Sequence, residues 1–132
     1  YIGEYDIISD YPRAWVASDG RIITYAAQGT WEGAVTSIYE MSAAGNGSVK
    51  DTGVDIPVDL GWYMPAVMFD VDKALIIAED GSAWILDMSN GGVTLTRTGD
   101  IGPNRIWSDM MVMPDGRVIV TGGSATDTSN VY

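Results

Sequence analysis

The 132-residue chain contains no cysteine and no histidine. Without cysteine it can form no disulfide within itself and offers no thiolate for nucleophilic chemistry. Without imidazole it can build neither a Ser-His-Asp nor a Cys-His catalytic set. Zinc sites with Cys or His ligands are excluded for the same reason. Carboxylates, tyrosines, lysines and hydroxyls are what remain for chemistry. Basic residues are scarce too: seven Lys and Arg stand against eighteen Asp and Glu, a net charge of −11. Such a field repels nucleic acid and anionic membranes. The acidic residues are dispersed rather than gathered in a tail, so they speak to solubility and name no partner. No apolar run approaches the roughly 20 residues of a membrane helix. The first ten residues, YIGEYDIISD, have neither the basic nor the apolar region of a signal peptide.

Hydrophobic residues make up 46% of the chain, with five tryptophans and seven tyrosines, which argues against intrinsic disorder. Sixteen glycines and five prolines predict many turns. Most apolar runs are short, β-branched and bounded by Gly, Asp, Asn or Pro, the pattern of strands. Strands are expected over 15–17, 21–26, 36–41, 49–52, 66–69, 74–78, 83–87, 93–96, 110–113 and 117–121. Asp-Gly or Asn-Gly pairs lie in the turns at Asp19-Gly20, Asn46-Gly47, Glu79-Asp80-Gly81, Asn90-Gly91 and Pro114-Asp115-Gly116. They predict two-residue hairpins, whose primed turns require positive φ.

Three segments fall into register: YPRAWVASDGRIITY from Tyr11, YMPAVMFDVDKALIIAE from Tyr63 and WSDMMVMPDGRVIVTGG from Trp107. Each runs from an aromatic residue through an apolar strand and an Asp-containing turn into a strand rich in Ile, Leu and Val. The middle copy has Asp70-Val71-Asp72-Lys73 at its turn and lacks the glycine. The copies begin 52 and 44 residues apart, near the 40–50-residue period of propeller blades. Two further strands follow in each complete interval, giving the four strands of one blade. The expected fold is therefore all-β, a β-propeller segment of four-stranded antiparallel blades. The expected boundaries are one blade over 10–60, a second over 61–103 and an incomplete one over 104–132. Propellers close with four to eight blades. About two and a half blades predict either a part of a larger propeller or a short chain that closes with further copies of itself.

The ordered set of segments resembles the kelch-type blades of the galactose oxidase and glyoxal oxidase family, the copper radical oxidases. The resemblance rests on YPRAWVASDGRIITY, on MPAVMFD from Met64, and on NRIW from Asn104 leading into MPDGRVIVTGGS. It covers Tyr11 to Ser124, and PDGRV with TGG is shared with many kelch repeats. It implies a parent protein that oxidises a primary alcohol or aldehyde with O₂, giving H₂O₂, at a copper–tyrosyl radical site. It also implies that Tyr11, eight residues before Asp19, is the copper ligand that holds the radical, with Trp31 stacked over it. The crosslinking cysteine of the family belongs upstream, and its second tyrosine and two histidines belong downstream; this chain carries none of the histidines or the cysteine. Copper(II) favours imidazole nitrogen, so the chain alone cannot assemble the site.

Each site residue has a plainer reading. Tyr11, Tyr63 and Trp107 hold matching positions, as aromatic residues packed near a propeller channel would. Trp31 could be a loop aromatic, and Trp15, Trp62 and Trp84 are expected between blades. Arg13 and Arg105 could bind a substrate oxygen or pair with carboxylates such as Asp10 and Asp109. Asp70, Asp72, Glu79 and Asp80 lack EF-hand spacing and read as turn caps. The glycines of Asp115-Gly116 and Gly122-Gly123 serve turns and close packing rather than a phosphate loop. Asn46-Gly47-Ser48 is a glycosylation sequon and points to an extracellular or cell-surface protein. Two functions stand: a segment of a copper radical oxidase acting on a small alcohol or aldehyde, or a non-catalytic propeller that serves as an extracellular, carbohydrate-facing binding or structural module.

Overall fold

The computed structural model describes residues 12–26, 36–58, 60, 64–102 and 105–124. Among these residues there are ten strands and no helix: β1 (Pro12–Val16), β2 (Ile22–Ala26), β3 (Thr36–Ser42), β4 (Ser48–Ile56), β5 (Ala66–Asp70), β6 (Lys73–Ile77), β7 (Ser82–Asp87), β8 (Thr94–Asp100), β9 (Ile106–Val112) and β10 (Val118–Ser124). They form three sheets in chain order, β1-β2-β3-β4, β5-β6-β7-β8 and β9-β10, every pairing antiparallel. The four-stranded antiparallel sheets are those expected of blades. Every expected strand overlaps an observed one, with Ala17, Arg21, Ala78, Val93, Met113 and Arg117 falling just outside the strands.

The turns split into two kinds. At Asn90-Gly91 both central residues have positive φ (55° and 70°), and Gly92 donates its N–H to the Ser89 carbonyl at 3.1 Å. This is the expected primed two-residue turn. The β3–β4 turn differs from the expected Asn-Gly turn: Gly45 is at φ 62°, the Gly47 N–H meets the Ala44 carbonyl, and the Ser42–Ser48 pairing leaves residues 43–47 between the strands. The three Asp-Gly turns differ from expectation. Ala17 and Arg21 close a three-residue loop, with Gly20 at φ 87° and the Gly20 N–H on the Ala17 carbonyl. Ala78 to Ser82 and Met113 to Arg117 repeat that geometry. The cause is the aspartate side chain. Asp19, Asp80 and Asp115 each accept the N–H of the residue after the glycine, at 3.1, 2.9 and 3.1 Å. That bond holds Asp at negative φ and leaves only glycine in the left-handed region.

The main core lies between the first two sheets. Ile23, Tyr25, Ile38 and Ile56 of the first pack on Ala74, Ile76 and Leu86 of the second, all 2% exposed or less. Burying each Ile or Leu contributes about 1.5–3 kcal/mol. Trp15 lies against Tyr25 with ring centroids 5.3 Å apart. Trp15 and Trp84 both border this core, as expected of tryptophans between blades; Trp62 lies outside the described residues. A smaller core of Ile77 and Ala83, with Leu75 and Met110 against it, joins the second sheet to the third.

Candidate functional site

Tyr11 and Trp31, the candidate copper ligand and its stacking partner, lie outside the described residues, as does Tyr63. The third copy of that aromatic position, Trp107, is described. It sits in β9 at φ 64°, an uncommon conformation for a bulky side chain, and is 54% exposed. Around it the backbone is bent. Ser108 turns its N–H back to the Arg105 carbonyl at 3.2 Å, and facing strand β10 carries Gly122 and Gly123 at φ 70° and 80°. A Cβ on Gly123 would lie 3.0 Å from the Arg105 Cβ and from the Arg105 and Ile106 carbonyl oxygens. Gly123 thus permits the close approach that the sequence suggested, while a Cβ on Gly122 would meet nothing within 4 Å. Arg105 donates from Nη1 to the Gly122 carbonyl at 3.0 Å.

Arg105 does not pair with Asp109, contrary to one expectation. The Asp109 carboxylate instead accepts the N–H of Met110. Arg13 reaches across to the second sheet and donates from Nη2 to the Met64 carbonyl at 3.3 Å. Among the described residues both arginines bind backbone carbonyls; Asp10, the expected partner of Arg13, lies outside them.

The densest polar assembly links the first sheet to the second at their turns. Asp72, 8% exposed, accepts the Ser18 N–H on Oδ1 and the Ser18 hydroxyl on Oδ2, each at 2.6 Å. The Asp72 carbonyl accepts the Met88 N–H, and the Met88 carbonyl accepts Arg21 Nη2 at 2.6 Å. Arg21 also donates to the Gly92 carbonyl, to Asp19 at 2.7 Å and to Glu40 at 3.4 Å. Its side chain is only 13% exposed. The Arg21 bonds hold the Asp19 carboxyl below its ordinary range, and the Asp19 carboxylate raises the Arg21 guanidinium. Asp72 occupies this place at φ 58°. The missing glycine of Asp70-Val71-Asp72-Lys73 was the sequence signal for this contact. What the sequence could not show was that Asp72 points back to the preceding turn.

No arrangement of three or more His, Cys, Asp or Glu among the described residues could hold a metal ion. Asp70 and Asp80 each accept an N–H of their own turn, from Val71 and Ser82, as turn caps do, whereas Asp72 accepts from Ser18 of the preceding hairpin. Tyr25 does not fit copper either: burial pushes its phenol up, so it stays protonated. A protonated phenol is a poor copper ligand, and the chain supplies no imidazole beside it. The residues present do not fit a copper centre by themselves. No helix of the described residues is long and apolar enough to cross a membrane.

The chain aligns in structure with a fungal alcohol oxidase of the AA5 family, solved in complex with copper, at a TM-score of 0.56 and 17% identity. The match covers 87% of this chain and 37% of that one. The two share a fold. This chain therefore spans little more than a third of the oxidase it resembles, and the likeness agrees with the galactose oxidase-like architecture read from the sequence. No protein-family model and no curated protein sequence matches the chain.

Proposed function

We propose that this chain is a partial propeller domain, blades 10–60 and 61–103 with an incomplete blade 104–132, of a copper radical oxidase of the galactose oxidase and glyoxal oxidase type. The parent oxidises a primary alcohol or aldehyde with O₂ and releases H₂O₂. The observation that carries the reading is the fold shared with the AA5 alcohol oxidase over 87% of the chain. The ordered kelch-like repeats add to it. In this reading the chain contributes scaffold, the tyrosine Tyr11 and the tryptophan Trp31. The cysteine and histidines come from elsewhere in the parent. Asn46, exposed at the β3–β4 turn, favours an extracellular or cell-surface location.

The test is the parent protein, cloned with the sequence on both sides of this segment and loaded with copper. Peroxide production from primary alcohols and aldehydes, lost together with the radical absorption in Tyr11→Phe, is the expected result. A parent with no cysteine ahead of Tyr1 and no Tyr-His pair in the following blade would sink the oxidase reading. The chain would then be read as a binding or structural propeller, its exposed surface facing carbohydrate.

A further inference from the structure

The seam between the first two sheets closes on a turn with chemistry of its own. Arg21 donates to the carbonyls of Met88 and Gly92, at 2.6 and 3.2 Å. Between those two acceptors lies the exposed centre of the β7–β8 turn, Asn90-Gly91. Asparagine is a thermolabile residue, and a following glycine puts no side chain in the way of its own nitrogen. In deamidation the Gly91 nitrogen attacks Asn90 Cγ. The Cγ–Nδ2 bond breaks, and the proton of the Gly91 nitrogen passes to Nδ2, which leaves as ammonia. Water then opens the cyclic imide. Opening at Cγ restores the main chain and leaves aspartate. Opening at the Asn90 backbone carbonyl leaves isoaspartate, whose main chain runs through Cγ and is one carbon longer.

The folded turn opposes the first step. Asn90 donates from Nδ2 to Ser89 Oγ at 3.2 Å, which draws the amide toward Ser89 and away from the Gly91 nitrogen. The Gly92 N–H on the Ser89 carbonyl fixes the backbone between them, with φ of 55° and 70° at the two central residues. Arg21, only 13% exposed, braces both ends of the turn from the neighbouring sheet. Asn46-Gly47, exposed in the β3–β4 turn, is an internal comparison. Among the described residues no hydrogen bond ties residues 43–47 to another sheet.

We propose that Asn90 is a spontaneous deamidation site held back by the Arg21 seam, and that its isoaspartate product keeps the seam from closing again. The Asp72 carbonyl holds the Met88 N–H, so the extra carbon displaces Gly92 from Arg21 rather than Met88. Aspartate tolerates left-handed φ and leaves the turn as it was. Local opening of the seam thus becomes irreversible at one residue. The inference uses no residue of the proposed copper site and does not depend on the oxidase reading.

Peptide mass spectrometry tests it on the 132-residue chain, made without glycosylation and aged at mildly alkaline pH, with isoaspartate separated from aspartate. Asn90 should convert more than about tenfold faster in urea than in the folded chain, since folding removes the open turn. Arg21→Gln should speed the folded reaction at Asn90 about tenfold, roughly the loss of one charge-assisted hydrogen bond. Asn46 in the same samples should keep its wild-type rate. Arg21→Lys keeps the charge without the fork that spans two carbonyls, should give a smaller rise, and serves if Arg21→Gln does not fold. The isoaspartate fraction should melt below the fresh chain, and Asn90→Asp should melt with it. Equal rates at Asn90 in urea and in the folded chain overturn the proposal. So does a folded Arg21 variant that leaves the Asn90 rate unchanged or raises Asn46 equally. An isoaspartate fraction as stable as the fresh chain overturns the role given to the product.

Discussion

Asp72 combines two properties that the other turns divide between residues. It takes the left-handed backbone that glycine takes at Gly20 and Gly116, and it supplies a buried carboxylate to Ser18. The two can be separated by substitution. Asp72→Gly keeps the backbone and loses the carboxylate, while Asp72→Ala loses the carboxylate and strains the backbone as well. Asp72→Ala should destabilise by about 3 kcal/mol, from lost charge-assisted bonds and left-handed strain. Asp72→Gly should cost about 1 kcal/mol less, since only the strain is removed. Asp72→Asn, which tolerates left-handed φ and keeps one acceptor oxygen, should cost least. Urea unfolding midpoints decide the order; an Asp72→Ala chain as stable as wild type would show that the Ser18 contact contributes nothing. The turn aspartates also set a pH dependence. Hydrogen bonds from Arg21 hold Asp19 below the ordinary aspartate range, and bonds from Arg117 do the same for Asp115. Their contribution is therefore complete above that range and lost as pH falls through the lower folded pKa values. Thermal midpoints should be level from neutral pH down to about 4 and then fall, and Asp19→Asn should flatten part of that fall.

Hairpins are the elements in which sequence and structure can be compared most closely. Gly123 and Gly116 have nearly equal φ, 80° and 83°, yet differ in surroundings. A methyl on Gly116 meets nothing within 4 Å, whereas one on Gly123 meets β9 backbone at 3.0 Å. Gly116→Ala should cost about 1–2 kcal/mol of left-handed strain. Gly123→Ala should cost more, because carbonyl oxygens cannot move aside without breaking the β9–β10 ladder; comparing the two melting curves measures the difference. Strand positions were legible because the apolar runs are short and sharply punctuated. The role of the TGG glycines was legible for the same reason. The loop length of the Asp-Gly turns was not, since it depends on whether Asp bonds its own backbone or leaves it free. Nor was the seam from Arg21 to Met88 and Gly92, which joins residues 67 and 71 positions apart. Of the candidate site, the sequence identified residue types, and the described residues place only Trp107 of the three matching aromatics.

For the whole molecule, the absence of His and Cys governs chemistry. Copper(II) titrated into the isolated chain should show no tight stoichiometric site and no radical signal by electron paramagnetic resonance. A tight site would mean that carboxylates and tyrosines here bind copper without imidazole. Strand order gives the molecule a different property. Among the described residues each strand pairs only with its neighbour in sequence, with no crossover in any sheet. Contacts of this kind close short loops and fold rapidly. The first sheet is therefore complete in sequence by Ile56 and can form while later strands are still being synthesised. Each finished sheet then presents a ready template to the next, so the order in which the ribosome delivers the chain is the order in which it can assemble.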